Sequence, residues 1–251
     1  MAEQFSIFDM LYEEVKVDKP IRLIELFAGY GSQAMALERL GADFEHYRVV
    51  EFDEPAIKSY NAVHGTDFPV TDVRDVHGTD LGIVDRDHFT YLLTYSFPCT
   101  DISQAGQMKG FAEGSGTRSS LLWEVKRILL ELKEENAMPD ILLMENVVAI
   151  HSQENRPHFA KWLNFLEEIG YTSFMADLNG SDFGIPQNRD RTFVLSVLGN
   201  CSYRFPVEID LETCIEDFFE DLTDEQALKL VVKSPKAMEL LVSLDKDGKL
   251  E

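Results

Sequence analysis

Cys99 ends an apolar and aromatic run, Phe89–Tyr95, that closes in Ser96-Phe97-Pro98-Cys99. Such a run reads as a buried strand delivering a thiol to the edge of a sheet. A thiolate there is a candidate nucleophile, because ligands gather at the carboxyl ends of parallel strands. The competing reading is a packed, inert cysteine, since free cysteine is among the most buried residue types. A second run, Pro139–Val147, ends in Glu145-Asn146, and a third begins after Gln187-Asn188-Arg189-Asp190-Arg191. An acid beside a nucleophile can supply a proton, and an arginine can hold developing negative charge. Each also has an ordinary explanation: a salt-bridged structural carboxylate for Glu145, a solvated surface pair for Arg189 and Arg191.

A separate group has the character of a nucleoside site. Residues 25–41, ELFAGYGSQAMALERLG, read as strand, glycine turn and helix. Gly29 and Gly31 allow close backbone approach, and the helix after them offers free N–H groups. Glu51 ends the next strand, where an acid can bind two ribose hydroxyls. Asp72 ends a third, placed to accept from an adenine amino group; Phe52 can stack beside that ring. Phe27 offers an aromatic face to a cation such as a sulfonium. The missing third glycine argues against a dinucleotide and for a smaller ligand such as S-adenosylmethionine. The alternative is a plain strand–helix turn followed by acids placed by chance.

Seven strands are expected to position these residues: 21–26, 46–52, 68–73 (the weakest), 87–96, 139–147, 171–179 and 191–198. Helices are expected through about Leu40, over 54–63, from Ser119 to about Asn136, and over 156–169 up to Gly170. The alternation implies an α/β fold with a mainly parallel sheet. The link between the last two strands is too short for a crossover helix, so they should be antiparallel. Residues 97–118 form a long glycine-containing loop, a length that is usually functional inside a compact domain.

The chain has 251 residues, enough for one domain with a sizeable core, and ordinary hydrophobic content at 45%. Residues 1–20 read as an acidic leader, with a short helix allowed, 21–200 as the catalytic domain and 201–251 as an acidic helical tail. Residues 204–251 hold 13 acidic and 6 basic side chains, in short amphipathic helices broken by Pro235. No apolar run approaches a bilayer span and the start is not a signal peptide, so a cytoplasmic location is expected, with no membrane partner. Three cysteines, Cys99, Cys201 and Cys214, are too few and too scattered for a disulfide framework or a zinc site, and no metal is expected. Cys201 and Cys214 read as packing or surface residues. The net charge of −22 argues against nucleic acid unless a local basic cleft or another segment supplies the contacts.

Taken in order, FAGYG, SFPC, MENV and QNRDR resemble the cytosine-C5 DNA methyltransferase family over roughly residues 21–199. The resemblance implies a Rossmann-like class I S-adenosylmethionine-dependent methyltransferase: a mixed, mainly parallel sheet with an antiparallel last strand and helices on both faces. It implies S-adenosylmethionine as cofactor, with Phe27, Ala28, Gly29, Gly31, Ser32, Glu51, Phe52, Asp72, Val73 and Pro98 around it. It implies double-stranded DNA as partner and a cytosine turned out of the duplex. Cys99 would add to C6 of that base. Glu145 would serve N3, with a pKa raised by burial. Asn146 would fix the loop that holds Glu145. Arg191 would meet O2 and favour the thiolate, with Arg189 nearby and Pro98 beside the nucleophile. The loop after Cys99 would close over DNA, with Gln104, Lys109, Arg118 and Ser119 as contacts.

Two small departures stand inside the motifs: Thr100 where the family has Gln, and Gly31-Ser32 where Gly-Gly is common. A larger one follows residue 200. The family continues into a target-recognition domain and two returning motifs, which residues 200–251 do not supply. A second polypeptide or further C-terminal region is therefore expected to complete the enzyme. RNA (cytosine-5) methylation and an inactive cofactor-binding subunit of a split enzyme are the alternatives.

Overall fold

A computed structural model of the chain describes residues 12–100, 102, 110–231 and 233–246. Its strands are β1 (Ile21–Leu26), β2 (Phe44–Val50), β3 (Thr90–Tyr95), β4 (Ile141–Asn146), β5 (Tyr171–Asn179) and β6 (Asp190–Leu198). They form one six-stranded sheet in the order β2-β1-β3-β4-β6-β5. β2, β1, β3 and β4 run parallel, and β6 lies antiparallel between β4 and β5. The helices are α1 (Ser32–Arg39), α2 (Glu54–His64), α3 (Leu122–Glu134), α4 (Arg156–Glu168), α5 (Asp224–Leu230) and α6 (Pro235–Lys246).

This topology decides where the chemistry-bearing residues meet. Parallel strands joined by crossovers bring all their carboxyl ends to one edge. The antiparallel β6 begins at that edge instead of ending there. Residues that follow β1, β2, β3 and β4 therefore share a rim with those that open β6.

Side chains alternate across the sheet. Ile24 and Leu26 of β1, Leu93 and Tyr95 of β3 and Met144 of β4 pack with Trp123 and Leu129 of α3 and Trp162 and Leu166 of α4. Trp162 is fully buried, meets Tyr95 edge-on at 5.7 Å and donates its indole N–H to the Tyr95 hydroxyl at 3.2 Å. A second cluster, Ala28, Val49, Ile57 and Tyr60, lies under α2. Fully buried Glu25 accepts the Tyr60 hydroxyl proton at 2.5 Å. Burial pushes its carboxyl up from 4.5 to about 7, against the opposing pull of that hydrogen bond. The folded chain thus keeps a proton that the unfolded chain releases, so this group's support of the fold weakens as pH rises from about 4.5 to about 7.

The strand expected over 68–73 is not formed. Pro69 has no N–H to give a ladder. Asn61 of α2 takes both backbone groups of Phe68: Oδ1 accepts its N–H and Nδ2 donates to its carbonyl, each at 2.9 Å. The segment instead runs as coil into a 3-10 turn, Val73–Asp75, with Asp72 as its cap. The helix expected from Ser119 opens with a 3-10 turn, Arg118–Leu121, before α3. The described part of the leader is extended and bridges to Ser202 through Val15 N–H and Glu13 carbonyl, rather than helical. In the tail, the helical segment breaks at Pro235, which separates α5 from α6 and opens α6, as its fixed φ favours. The segment 211–222 holds one 3-10 turn, Ile215–Phe218.

Candidate active site

Two adjoining cavities lie along the common rim. The larger, about 450 Å³, is lined by Phe27 after β1, Glu51 and Phe52 after β2, Asp72, Val73 and Arg74, and Gly116 through Arg118. Ser120, Leu121 and Glu124 complete its wall at the start of α3. The smaller, about 160 Å³, is lined by Ser96 through Cys99, by Glu145, Asn146 and Val147, and by Arg189 and Arg191. Pro98 lines both.

The loop that carries Cys99 is pinned on either side. Asn146, buried at the end of β4, donates Nδ2–H to the Phe97 carbonyl at 3.0 Å and accepts the Val147 N–H at 2.9 Å. It thus fixes the cysteine loop as much as its own. Ser119 Oγ donates to the Pro98 carbonyl at 2.6 Å, and the Cys99 carbonyl accepts from Ile102 N–H. Ser119 is fully buried, so the expectation that it contacts DNA is wrong; it braces the loop from α3's side. Ser119→Ala is expected to cost about 0.5–1.5 kcal/mol by removing this hydrogen bond, read as a lower urea midpoint.

Glu145 is not the buried acid expected. Its side chain keeps 23% exposure and faces Arg191 Nε at 3.0 Å. Register explains the pair. Glu145 lies opposite Phe193, and Arg191, two residues nearer the start of β6, projects from the same face. Arg191 therefore meets Glu145 rather than standing free beside Cys99. Arg189 lies on the cavity wall, its N–H held by Asn179 Oδ1 at 3.1 Å. Asn179 also donates to Asn188 and Asp190, and so organises the turn into β6. Sequence inspection misses this residue, because nothing in an Asn at a strand end marks it.

In the larger cavity, Glu51 is buried. One oxygen accepts Gly29 N–H at 2.9 Å and the other Asp53 N–H at 2.8 Å. This anchors the turn after β1 to the end of β2 and leaves each oxygen a further lone pair. Phe52 presents its ring to the cavity with 60% exposure. Phe27 reaches the wall through a left-handed backbone, φ 60°, which a bulky residue adopts only where its surroundings compel it. Asp72 is less available than expected. Arg74 clasps both its oxygens and holds its carboxyl below the usual range.

Gly31 does not face the ligand space. A side chain there would come 2.3 Å from His64 and 2.7 Å from Tyr60, so its role is to admit α2. Ala28 is buried in the α2 cluster, and Ser32 Oγ bonds Gln33. Neither lines the cavity. Arg118, expected at DNA, lies on the larger cavity's wall because the 3-10 turn aims it there. Gln104 and Lys109 fall outside the described residues. Gly116 and Thr117, within the glycine loop, and Ser120 and Glu124 just beyond it also line this cavity, and nothing in their residue types marks them for it.

The larger cavity fits an adenosine-type cofactor on its own features. Its volume lies in the small-molecule range. It offers carboxylate acceptors for ribose hydroxyls, an open aromatic face for a base, and side chains of both signs, Arg118 and Glu124, for a charged amino-acid end.

A family model for C-5 cytosine-specific DNA methylases matches residues 21–238. The type II methyltransferase M2.ScrFI of Lactococcus lactis subsp. cremoris is 32% identical, over 82% of this chain and 69% of its own length. The orphan methyltransferase M.SssI of Spiroplasma monobiae is 34% identical, over 72% of this chain and 60% of its own. Among solved structures, the S. pombe Dnmt2 methyltransferase superposes with a TM-score of 0.57 at 22% identity, covering 79% of this chain and 53% of its own. That likeness bears on the fold, a class I methyltransferase sheet.

Proposed function

The chain belongs to the C-5 cytosine-specific DNA methylases, and from that membership we propose that it is the catalytic part of a DNA (cytosine-5)-methyltransferase of restriction–modification or phage type. The observation that carries the reading is the placement of Cys99 and Glu145 on one small cavity, joined through Pro98 to a nucleoside-sized one. Glu51, Phe52 and Phe27 would hold S-adenosylmethionine, which would supply an electrophilic methyl group on a sulfonium.

The chain's own residues perform the rest. C5 of cytosine is a weak nucleophile. Cys99 Sγ adds as the thiolate to C6, forming the S–C6 bond and moving the ring π electrons toward C5 and N3. Glu145 gives a proton or hydrogen bond at N3 as charge develops there. The addition makes C5 the electron-rich carbon, the atom that would receive the methyl group. Loss of the C5 proton to a base returns the electron pair to C5=C6 and expels the Cys99 thiolate. Asn146 and Ser119 keep the thiol at its place through the Phe97 and Pro98 carbonyls. Arg191 answers charge at the base, shared with Glu145.

Target recognition is assigned to polypeptide beyond this catalytic part. The match covers 69% and 60% of the two relatives' own lengths, and the net charge of −22 favours phosphate binding by residues outside this chain.

The test is covalent trapping on duplex DNA fully substituted with 5-fluorocytosine, so that no recognition sequence need be known. The fluorine replaces the proton that must leave C5. With S-adenosylmethionine, the chain is assayed alone and with an added target-recognition polypeptide. The expected result is a denaturant-stable adduct at Cys99. An adduct with substituted tRNA and none with DNA would make RNA the substrate. Cofactor binding with neither adduct would indicate an inactive subunit.

A further inference from the structure

Three side chains that line neither cavity converge behind the turn after β1: Glu38 of α1, His46 of β2 and His64 at the end of α2. A carboxylate oxygen and one ring nitrogen from each histidine all lie within 4.8 Å of one another. Glu38 Oε1 stands 3.2 Å from His64 Nδ1 and 3.9 Å from His46 Nε2.

Hydrogen bonds elsewhere on the two rings decide what faces this point. His64 Nε2 lies 3.0 Å from the Tyr30 carbonyl. A carbonyl only accepts, so Nε2 carries the proton. Tyr60 gives its hydroxyl proton to Glu25 Oε2 at 2.5 Å, which leaves its oxygen to accept from His46 Nδ1 at 2.7 Å. That nitrogen therefore carries the proton of the second ring. A neutral imidazole has one N–H. With both rings neutral, a bare nitrogen of each, His64 Nδ1 and His46 Nε2, faces the same carboxylate oxygen; a proton on His64 Nδ1 would instead make its 3.2 Å contact with Glu38 a hydrogen bond. Three acceptors facing one another repel unless a cation or a proton stands among them.

We propose that Glu38, His46 and His64 bind a divalent transition-metal ion of the zinc class, with water completing its coordination. Two imidazole nitrogens and one carboxylate oxygen suit zinc, whereas calcium and magnesium take oxygen ligands. Donors about 2.05 Å from a tetrahedral ion lie roughly 3.4 Å apart, against 3.2 and 3.9 Å from Glu38 Oε1 to the two ring nitrogens here, so small side-chain shifts would close the site. The outer bonds follow the same logic. Each histidine donates its other N–H, one to a backbone carbonyl and one into the Tyr60–Glu25 chain, as ligating histidines do to fix tautomer and ring angle. Glu38, with half of its side chain exposed, gives the ion a way in, while the His64 side chain is fully enclosed.

The ion would be structural. Tyr30 belongs to the turn that borders the larger cavity, and Gly31 packs directly on His64 and Tyr60. Binding would tie α1, β2 and α2 together beneath that turn, away from Cys99. Its loss would loosen the turn without removing any reacting group.

The experiment uses the full chain stripped with chelator and titrated with Zn²⁺, followed by calorimetry, melting and nitrogen NMR of the histidine rings. The expected result is one tightly held Zn²⁺ per chain and a raised Tm. His46 Nε2 and His64 Nδ1 should shift, while the other two ring nitrogens keep their protons. Glu38→Gln, isosteric and half exposed, and His46→Gln should each weaken binding more than about 100-fold, beyond the 10–100-fold cost of outer-shell changes. Equal Zn²⁺ affinity in the parent and both variants would place the ion on the acidic surface and overturn the proposal. Ring nitrogens in the unsubstituted chain that ignore Zn²⁺ would overturn it too, with no variant needed.

Discussion

Replacing Cys99 by alanine is expected to abolish the 5-fluorocytosine adduct and to slow methyl transfer by at least about 10,000-fold, as loss of a covalent nucleophile does. Among the described residues lining the smaller cavity, the only other thiol or hydroxyl is Ser96, whose oxygen accepts from the Gln33 side-chain amide at 3.1 Å. Cofactor affinity should hardly change, because Cys99 lines only the smaller cavity. Methyl incorporation into DNA and S-adenosylmethionine calorimetry, measured side by side on folded protein, separate these two effects. Transfer retained within about 10-fold of the parent would remove Cys99 from the chemistry.

Glu145→Gln should lower methyl transfer by about 100- to 10,000-fold, the range for loss of a general acid. Glutamine keeps the shape of the side chain and can still donate a hydrogen bond at N3. It cannot deliver a proton, and it leaves the Arg191 guanidinium without the carboxylate that now faces it at 3.0 Å. Alkylation of Cys99 by iodoacetamide should persist in the variant, which shows that the nucleophile remains in place. The measurement is single-turnover transfer at saturating cofactor. A loss of less than about 3-fold would show that proton supply at N3 does not come from this residue.

Much of the site is legible along the chain because its residues directly follow apolar runs. Phe27, Glu51, Cys99 and Glu145 each stand at the carboxyl end of a strand, and a parallel sheet must bring such ends together. The lost strand at 68–73 shows the limit of that logic. Its apolar residues promise a ladder, but Asn61, on a helix distant in no obvious way from it, takes the Phe68 backbone groups first. Ser119 shows another. A serine after a glycine loop looks like a surface contact until α3 packs and turns it onto the Pro98 carbonyl.

The sequence by itself determined the alternation of strands and helices, the reversal of the last strand and the residues that would stand at the rim. These follow from side-chain period and from connection length, which are local properties. Only the tertiary structure decided which rim residues touch. The register of β6 against β4 sets Arg191 on Glu145. The packing of α1 and α2 on β2 gathers Glu38, His46 and His64, whose separations along the chain carry no ligand motif. Cys99 sits at its cavity for both reasons: a strand delivers it, and two side chains from elsewhere, Asn146 and Ser119, hold the carbonyls before it.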